Sequence, residues 1–113
     1  MPMLAMSFPI PTGRTERWKK FAKELTGPRR KQFEESRKKL GVRERTFLQN
    51  TPTGDVVIVT LRGKNPASAF AKFSKGKDAF TKWFVAETKE IHGIDLSEPM
   101  PGPLPELVID SGE

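Results

Sequence analysis

The single histidine, His92, is the side chain whose ordinary pKa lies closest to neutral pH, which makes it the first candidate for proton transfer. It stands at the predicted end of a helix, where Gly93 follows and the helix dipole favours a positive charge. Asp95 follows within about one turn. The functional interpretation is that His92 is a general acid or base, or an axial ligand, at the edge of a pocket. The alternative is a structural histidine held by Asp95 or by the acidic C-terminal residues.

Two tryptophans and two charged residues are candidates for a substrate-binding site. Trp18 and Trp83 fall in the apolar stripes of two predicted helices, a spacing typical of core residues, although such residues also form the walls of apolar pockets. Glu87 lies on the stripe of the later helix, and Arg45 lies near the start of a predicted strand. A buried Glu87 facing Arg45 would be either a structural ion pair or a substrate clamp.

The composition excludes several classes of protein and site. The chain has no cysteine and one histidine, which excludes thiolate metal sites, disulfides, cysteine nucleophiles and a multi-histidine metal site within one chain. We predict no cofactor. No apolar run approaches the roughly 20 residues that span a bilayer, so we predict no membrane association. The first residues do not resemble a signal peptide, so we expect a cytoplasmic location.

The charge is unevenly distributed along the chain. Residues 14–45 contain 13 Lys and Arg but only 5 Asp and Glu, within a net charge of +6. From Glu90 onward there are six acidic residues and no Lys or Arg. Because acids are interspersed in the basic segment and no exposed aromatic residue is predicted there, we interpret it as a solvated helical surface and predict that nucleic acid is not the partner.

Hydrophobic periodicity predicts the element order β–α(α)–β–β–α(α)–β in one domain, residues 1–113. This order predicts an α+β fold, a ferredoxin-like sandwich with a four-stranded antiparallel sheet and helices on one face. The predicted strands cover residues 3–8, 42–49, 56–61 and 106–110. The first predicted helix begins after a cap at Thr12 or Thr15 and is interrupted at Thr26-Gly27. The others cover residues 28–40, 67–74 and about 78–92, and a proline-rich segment, 96–105, precedes the last strand.

The predicted strands are apolar on both faces. Val57, Val59 and Leu61 point to one side of the third strand, whereas Val56 and Ile58 point to the other. The helices can cover only one of these faces, and an exposed apolar face of this kind is typical of an interaction site. We predict a homodimer formed sheet to sheet. The alternative is that long side chains of neighbouring strands shield the second face.

Four segments resemble those of a bacterial family of small proteins, without an assigned activity, in the dimeric α/β-barrel superfamily. The segments are Leu25-Thr-Gly-Pro-Arg-Arg30, Arg43-Glu-Arg45 with Leu48-Gln49, Thr51-Pro-Thr-Gly-Asp55, and Lys89-Glu-Ile-His-Gly-Ile-Asp-Leu-Ser-Glu-Pro99. The resemblance implies a ferredoxin-like subunit, a barrel formed by two copies, and a pocket between helices and sheet. The superfamily includes antibiotic-biosynthesis monooxygenases, haem-degrading monooxygenases and muconolactone isomerases.

Haem-degrading members of the superfamily pair a tryptophan and a histidine on the late helix with an asparagine on the first strand. Here Trp83 and His92 are nine positions apart, on opposite helix faces, and the first strand has no asparagine, so both features argue against haem degradation.

We predict a homodimer that binds a small apolar or anionic organic molecule, with cofactor-independent monooxygenase or isomerase chemistry. His92 would transfer the proton, Trp18 and Trp83 would form walls, and Arg45 would anchor an anion. The alternative is a non-catalytic structural or regulatory dimer.

Overall fold

The sheet has three antiparallel strands. In the computed structural model, which describes residues 1–112, strands β1 (Met3–Ile10) and β2 (Val42–Thr51) both pair with the central strand β3 (Gly54–Gly63). The hairpin predicted for β2 and β3 is confirmed, with Pro52 and Thr53 at its turn. Strand β1 continues through Pro9, beyond its predicted end, because an edge strand tolerates a residue without an N–H donor.

The four helices are those that the periodicity predicts, with small differences at their ends. Asn65 and Asp78 cap two of them, since their side chains accept hydrogen bonds from the N–H groups of Ser68 at 3.1 Å and Thr81 at 3.0 Å. The helices are α1 (Thr15–Thr26), α2 (Arg30–Leu40), α3 (Pro66–Ser74) and α4 (Ala79–His92). No helix in residues 1–112 is long and apolar enough to cross a membrane.

The predicted four-stranded ferredoxin-like sandwich is wrong, because the expected last strand does not join the sheet. Residues 106–110 have no strand partner within the described chain, and Leu107, Val108 and Ile109 are 70%, 81% and 86% exposed. Their alternating pattern predicts an extended backbone, but a strand also requires a neighbour with which to pair. The approach to them contains four prolines, at positions 99, 101, 103 and 105, which cannot donate to a ladder.

One face of the sheet, here called the inner face, packs against the helices. Leu4, Met6 and Phe8 of β1 and Val57 and Leu61 of β3 are buried on it. They form one core cluster with apolar side chains of the helices and of the segment after α4: Phe21, Leu25, Phe73, Phe80, Phe84, Ile91 and Leu96. The inner face is therefore the floor of any site between helices and sheet.

The opposite face, here called the outer face, carries the side chains of alternate residues. The register places Phe47 beside Ile58, Arg45 beside Thr60, and Arg43 beside Arg62. On β1 the outer residues are mostly small or polar, such as Ala5 and Ser7, whereas Phe47 and Met3 remain 53% and 49% exposed. The prediction that apolar side chains point to both sides of β3 is confirmed.

Candidate functional site

A cavity of about 270 Å³ lies between the inner face of the sheet and the helices. Its walls are almost entirely apolar and aromatic, which is the character of small-molecule sites in proteins. The sheet contributes Met6, Phe8, Glu44, Thr46, Val57, Val59 and Leu61. The helices and the segment after α4 contribute Trp18, Phe21, Ala22, Leu25, Thr26, Phe33, Phe70, Phe73, Phe84, Thr88, His92 and Leu96.

Aromatic rings packed around Phe84 hold the helix side of the cavity in place. The Phe84 ring lies 5.1 Å from both Phe21 and Phe73, each in an edge-to-face arrangement. The centroids of Phe33 and Phe80 lie 6.5 and 6.1 Å away. Because these rings come from all four helices, the cavity wall is set by one interlocked cluster rather than by a mobile loop.

His92 lies at the cavity wall as a half-buried residue. Its Nδ1 is 2.9 Å from the carbonyl oxygen of Pro9, and its ring lies 5.6 Å from that of Phe8. A carbonyl oxygen only accepts hydrogen bonds, so Nδ1 carries the proton, and the lone pair of the neutral ring is on Nε2. Burial lowers the pKa of His92, against the smaller opposing effect of the Pro9 hydrogen bond. The neutral imidazole is therefore a hydrogen-bond acceptor and a base.

Asp95 does not hold His92. Its carboxylate instead accepts hydrogen bonds from the N–H of Ser97 at 2.9 Å and from the Ser97 hydroxyl, and it lies 3.9 Å from the Lys89 ammonium group. The hydroxyl of Ser97 is the main reason that the pKa of Asp95 is lowered. The alternative, in which Asp95 holds His92, therefore does not describe the structure, where the carbonyl oxygen of Pro9 is the hydrogen-bond partner of His92.

A buried ion pair between Arg37 and Glu44 closes another part of the cavity wall. Arg37 Nε donates to Glu44 Oε1 at 2.7 Å, and the two side chains are 8% and 7% exposed. The guanidinium group lies against three aromatic rings, with centroids 4.8, 4.2 and 5.0 Å away, those of Phe33, Phe73 and Phe84. Such contacts stabilise a desolvated cation. The Glu44 side chain thus brings one carboxylate to an otherwise apolar wall.

Arg37 and Glu44 are not among the candidate residues predicted from the sequence, although their positions indicate that both face the core. Arg37 follows Phe33 by four residues and precedes Leu40 by three, which places it on the anchored face of α2. Glu44 shares the inner face of β2 with Val42 and Leu48, because the three are separated by even numbers of residues. The many charged residues of α2 suggested a solvated surface, whereas the spacing of Arg37 from Phe33 and Leu40 indicates that its side chain faces the core.

The predicted binding residues lie in three different places. Trp18 and His92 both line the cavity. Arg45 lies on the outer face beside Thr60, so the sheet separates it from the cavity. Trp83 and Glu87 line a separate surface hollow of about 480 Å³ beside α1. The predicted contact between Glu87 and Arg45 therefore does not form.

Salt bridges occupy the charged groups of that surface hollow. Glu87 pairs with Arg17, whose Nε and Nη2 are both 3.3 Å from its carboxylate, and this pairing raises the pKa of Arg17. The guanidinium group of Arg29 lies 4.0 Å from the ring centroid of Trp83 and 3.4 Å from a Glu24 carboxylate oxygen. These groups neutralise one another, so the hollow has the character of an ion-paired surface.

The arrangement was compared with known proteins. Family models, curated proteins and solved structures were all searched, and none matched this chain. Within residues 1–112, no three His, Asp or Glu side chains are grouped so that they could hold a metal ion. The functional argument therefore rests on the cavity, whose acceptor groups are Glu44 and the neutral His92.

Proposed function

We propose that the protein is a homodimer that binds a small, mostly apolar organic molecule in the cavity between helices and sheet. The observation that supports this is the cavity itself, about 270 Å³ with apolar walls and few polar groups. Membership of the dimeric α/β-barrel superfamily and a cytoplasmic location are part of the same proposal. The four sequence segments support the superfamily, whose ferredoxin-like sheet the three-stranded sheet does not reproduce, and the absence of cysteine supports the location.

The polar groups of the cavity favour a ligand that donates hydrogen bonds. Glu44 already accepts from Arg37 at 2.7 Å and from the Thr46 hydroxyl at 3.4 Å, but its carboxylate oxygens keep further lone pairs. His92 has an unprotonated Nε2, so both residues offer acceptors and neither offers a free donor. The hydroxyl of Thr88 is already donated to the carbonyl oxygen of Phe84 at 2.9 Å. Arg45, the anion anchor expected from the sequence, is on the other side of the sheet. A phenol or alcohol therefore suits this cavity better than a carboxylate.

The chemistry that the site supports is proton transfer by His92. Its Nε2 can take a proton from a hydroxyl group or an activated C–H bond of the ligand and return it at another carbon, which is an isomerisation without a cofactor. The same deprotonation would raise the electron density of a phenol for reaction with dioxygen in a cofactor-independent monooxygenation. The alternative, a structural or regulatory dimer, requires no ligand.

Binding of 2-naphthol, compared with 2-naphthoate, tests the proposal. We expect 2-naphthol to raise the Tm of the protein in a concentration-dependent manner, because binding to the native state stabilises it. The carboxylate of 2-naphthoate would face Glu44, so we expect at least a tenfold weaker effect. Equal effects, or none with either compound, would overturn the proposed site.

A matched pair of variants localises the binding. Ala22→Leu adds a larger side chain to the cavity wall, whereas Ala86→Leu makes the same change on an exposed part of α4. We expect Ala22→Leu to abolish the 2-naphthol shift and Ala86→Leu to retain it. The Tm of each variant without ligand shows that both are folded. Retention of the full shift in Ala22→Leu would place the ligand elsewhere.

A further inference from the structure

Three arginines, Arg43, Arg45 and Arg62, lie at one end of the outer face. Together with Met3 they form a surface that we call the arginine end. Arg43 and Arg62 lie directly opposite each other on β2 and β3, and Arg45 follows on the same side. Met3 pairs with Arg62 from the other flank. Like charges in opposite positions repel unless an anion lies between them. None of the ion pairs formed within residues 1–112 includes these three arginines.

The C-terminal tail, residues 105–112, has the complementary character. All of its residues are exposed, including three consecutive large apolar side chains, Leu107, Val108 and Ile109. Acidic residues flank these on both sides, Glu106 and Asp110, and no basic residue lies in the tail. An apolar, acidic segment and an apolar, basic surface are thus both uncovered in a single chain.

The size of the sheet favours a contact between two copies that includes the tail. Three strands of eight to ten residues present a projected face on the order of 400 Å². A stable interface typically buries about 800 Å² on each partner. A face of this size is small for a stable interface, and the tail is an exposed apolar segment that can enlarge the contact.

We propose that, in the homodimer, the C-terminal tail of each chain lies over the arginine end of the other chain's sheet. Glu106 and Asp110 pair there with Arg43, Arg45 and Arg62. Leu107, Val108 and Ile109 cover Met3 and the aliphatic parts of the arginine side chains, which pack well against apolar groups. This inference rests on the homodimer proposed above, and it adds the occupant of the arginine end.

Charge reversal with mixing tests whether this contact forms between chains. One variant carries Glu106→Lys and Asp110→Lys, and the other carries Arg43→Glu and Arg62→Glu. We expect each alone to raise the dimer Kd at least tenfold in sedimentation velocity at low salt. An equimolar mixture restores the affinity to within about threefold of the wild type, because each reversed tail then meets a reversed face. A contact within one chain would not be rescued by mixing.

A matched control and two contrary outcomes complete the test. Lys31→Glu with Lys38→Glu makes the same change in charge at exposed sites on α2, and we expect no change in the dimer Kd. If the wild type is a dimer and neither charge reversal changes its Kd, the tail contact is wrong and the homodimer proposal is unaffected. A wild type that remains monomeric at 100 μM would overturn both, whereas a dimer that uses Arg43 to bind an RNA oligonucleotide would overturn the tail contact alone.

Discussion

On the inner side of the sheet, Arg37 is 8% exposed, paired with Glu44 and surrounded by three phenylalanine rings. On the outer side, Arg43 and Arg62 face each other in solvent without a carboxylate partner in residues 1–112. The same residue type is thus buried in an ion pair with a cavity-lining residue on one side and leaves an unbalanced charge on the other. The charge of the inner arginine is balanced within one chain, whereas that of the outer arginines is not balanced within residues 1–112.

Aromatic residues show the same contrast. Phe84 is 8% exposed at the centre of the ring cluster, and Phe47 is 53% exposed on the outer face. A buried ring contributes transfer and packing free energy to folding, but an exposed ring contributes little until a partner covers it. The two sides therefore predict different readouts for identical substitutions, one in unfolding and the other in association.

The largest effect is expected for Phe84→Ala. Removing the ring leaves a void among the rings of four helices, and we expect the free energy of unfolding to fall by about 4 kcal/mol. Phe47→Ala is the matched control, for which we expect little change in monomer stability but a weaker dimer. Urea unfolding at low protein concentration and sedimentation velocity measure the two quantities. Equal losses of stability would contradict the division between the two faces.

The next effect concerns the buried ion pair. Arg37→Met leaves the buried Glu44 carboxylate without its cation, with only the Thr46 hydroxyl donating to it at 3.4 Å, and we expect the free energy of unfolding to fall by about 3 kcal/mol. Adding Glu44→Leu removes the unpaired charge, so the double variant should recover most of the loss. Arg17→Met breaks an exposed pair and should have little effect on urea unfolding, because solvent screens that interaction. A double variant no more stable than Arg37→Met would show that packing of the Arg37 side chain, rather than charge pairing, is what matters.

Local pattern predicted those parts of the fold that depend on neighbouring residues. The four helices follow from apolar spacing with Asn65, Asp78 and the glycines at their ends, and the two faces of β3 follow from alternation. The fourth strand failed because pairing is a non-local property. Residues 106–110 have the strand pattern, yet no neighbour receives them within the described chain.

Of the residues that the sequence suggested for a site, only some lie at the cavity. Trp18 and His92 lie at the cavity, as their helical positions favour. Arg45 was misplaced because its interpretation ignored strand parity, since Glu44, and not Arg45, shares the inner face with Val42 and Leu48. Arg37 was missed because a charged residue is exposed by default, and only its aromatic surroundings and its partner make burial favourable.

The smallest effect tests the inner side through His92. Burial lowers its pKa in the folded protein, so the unfolded chain binds more protons than the folded one as the pH falls toward about 6.5, the ordinary pKa of histidine, and below. The free energy of unfolding should therefore decrease from pH 7.5 to pH 5, with a slope that corresponds to a difference of less than one bound proton between the unfolded and folded states. Asp55, Asp78 and Asp95 have lowered pKa values, and the stability they contribute is lost only at more acidic pH. Their effect thus lies outside this window.

His92→Asn separates the two contributions, because the asparagine amide can still donate to Pro9 but does not titrate. We expect its unfolding free energy to change less than that of the wild type over this range. NMR titration of the wild-type imidazole should give a pKa below 6.5, the ordinary value for histidine, and a neutral Nδ1–H tautomer. An imidazole pKa above that value would mean that the cation is the stable form. His92 would then be unable to act as the base of the cavity at neutral pH, and the inner side would lose one of its two acceptors.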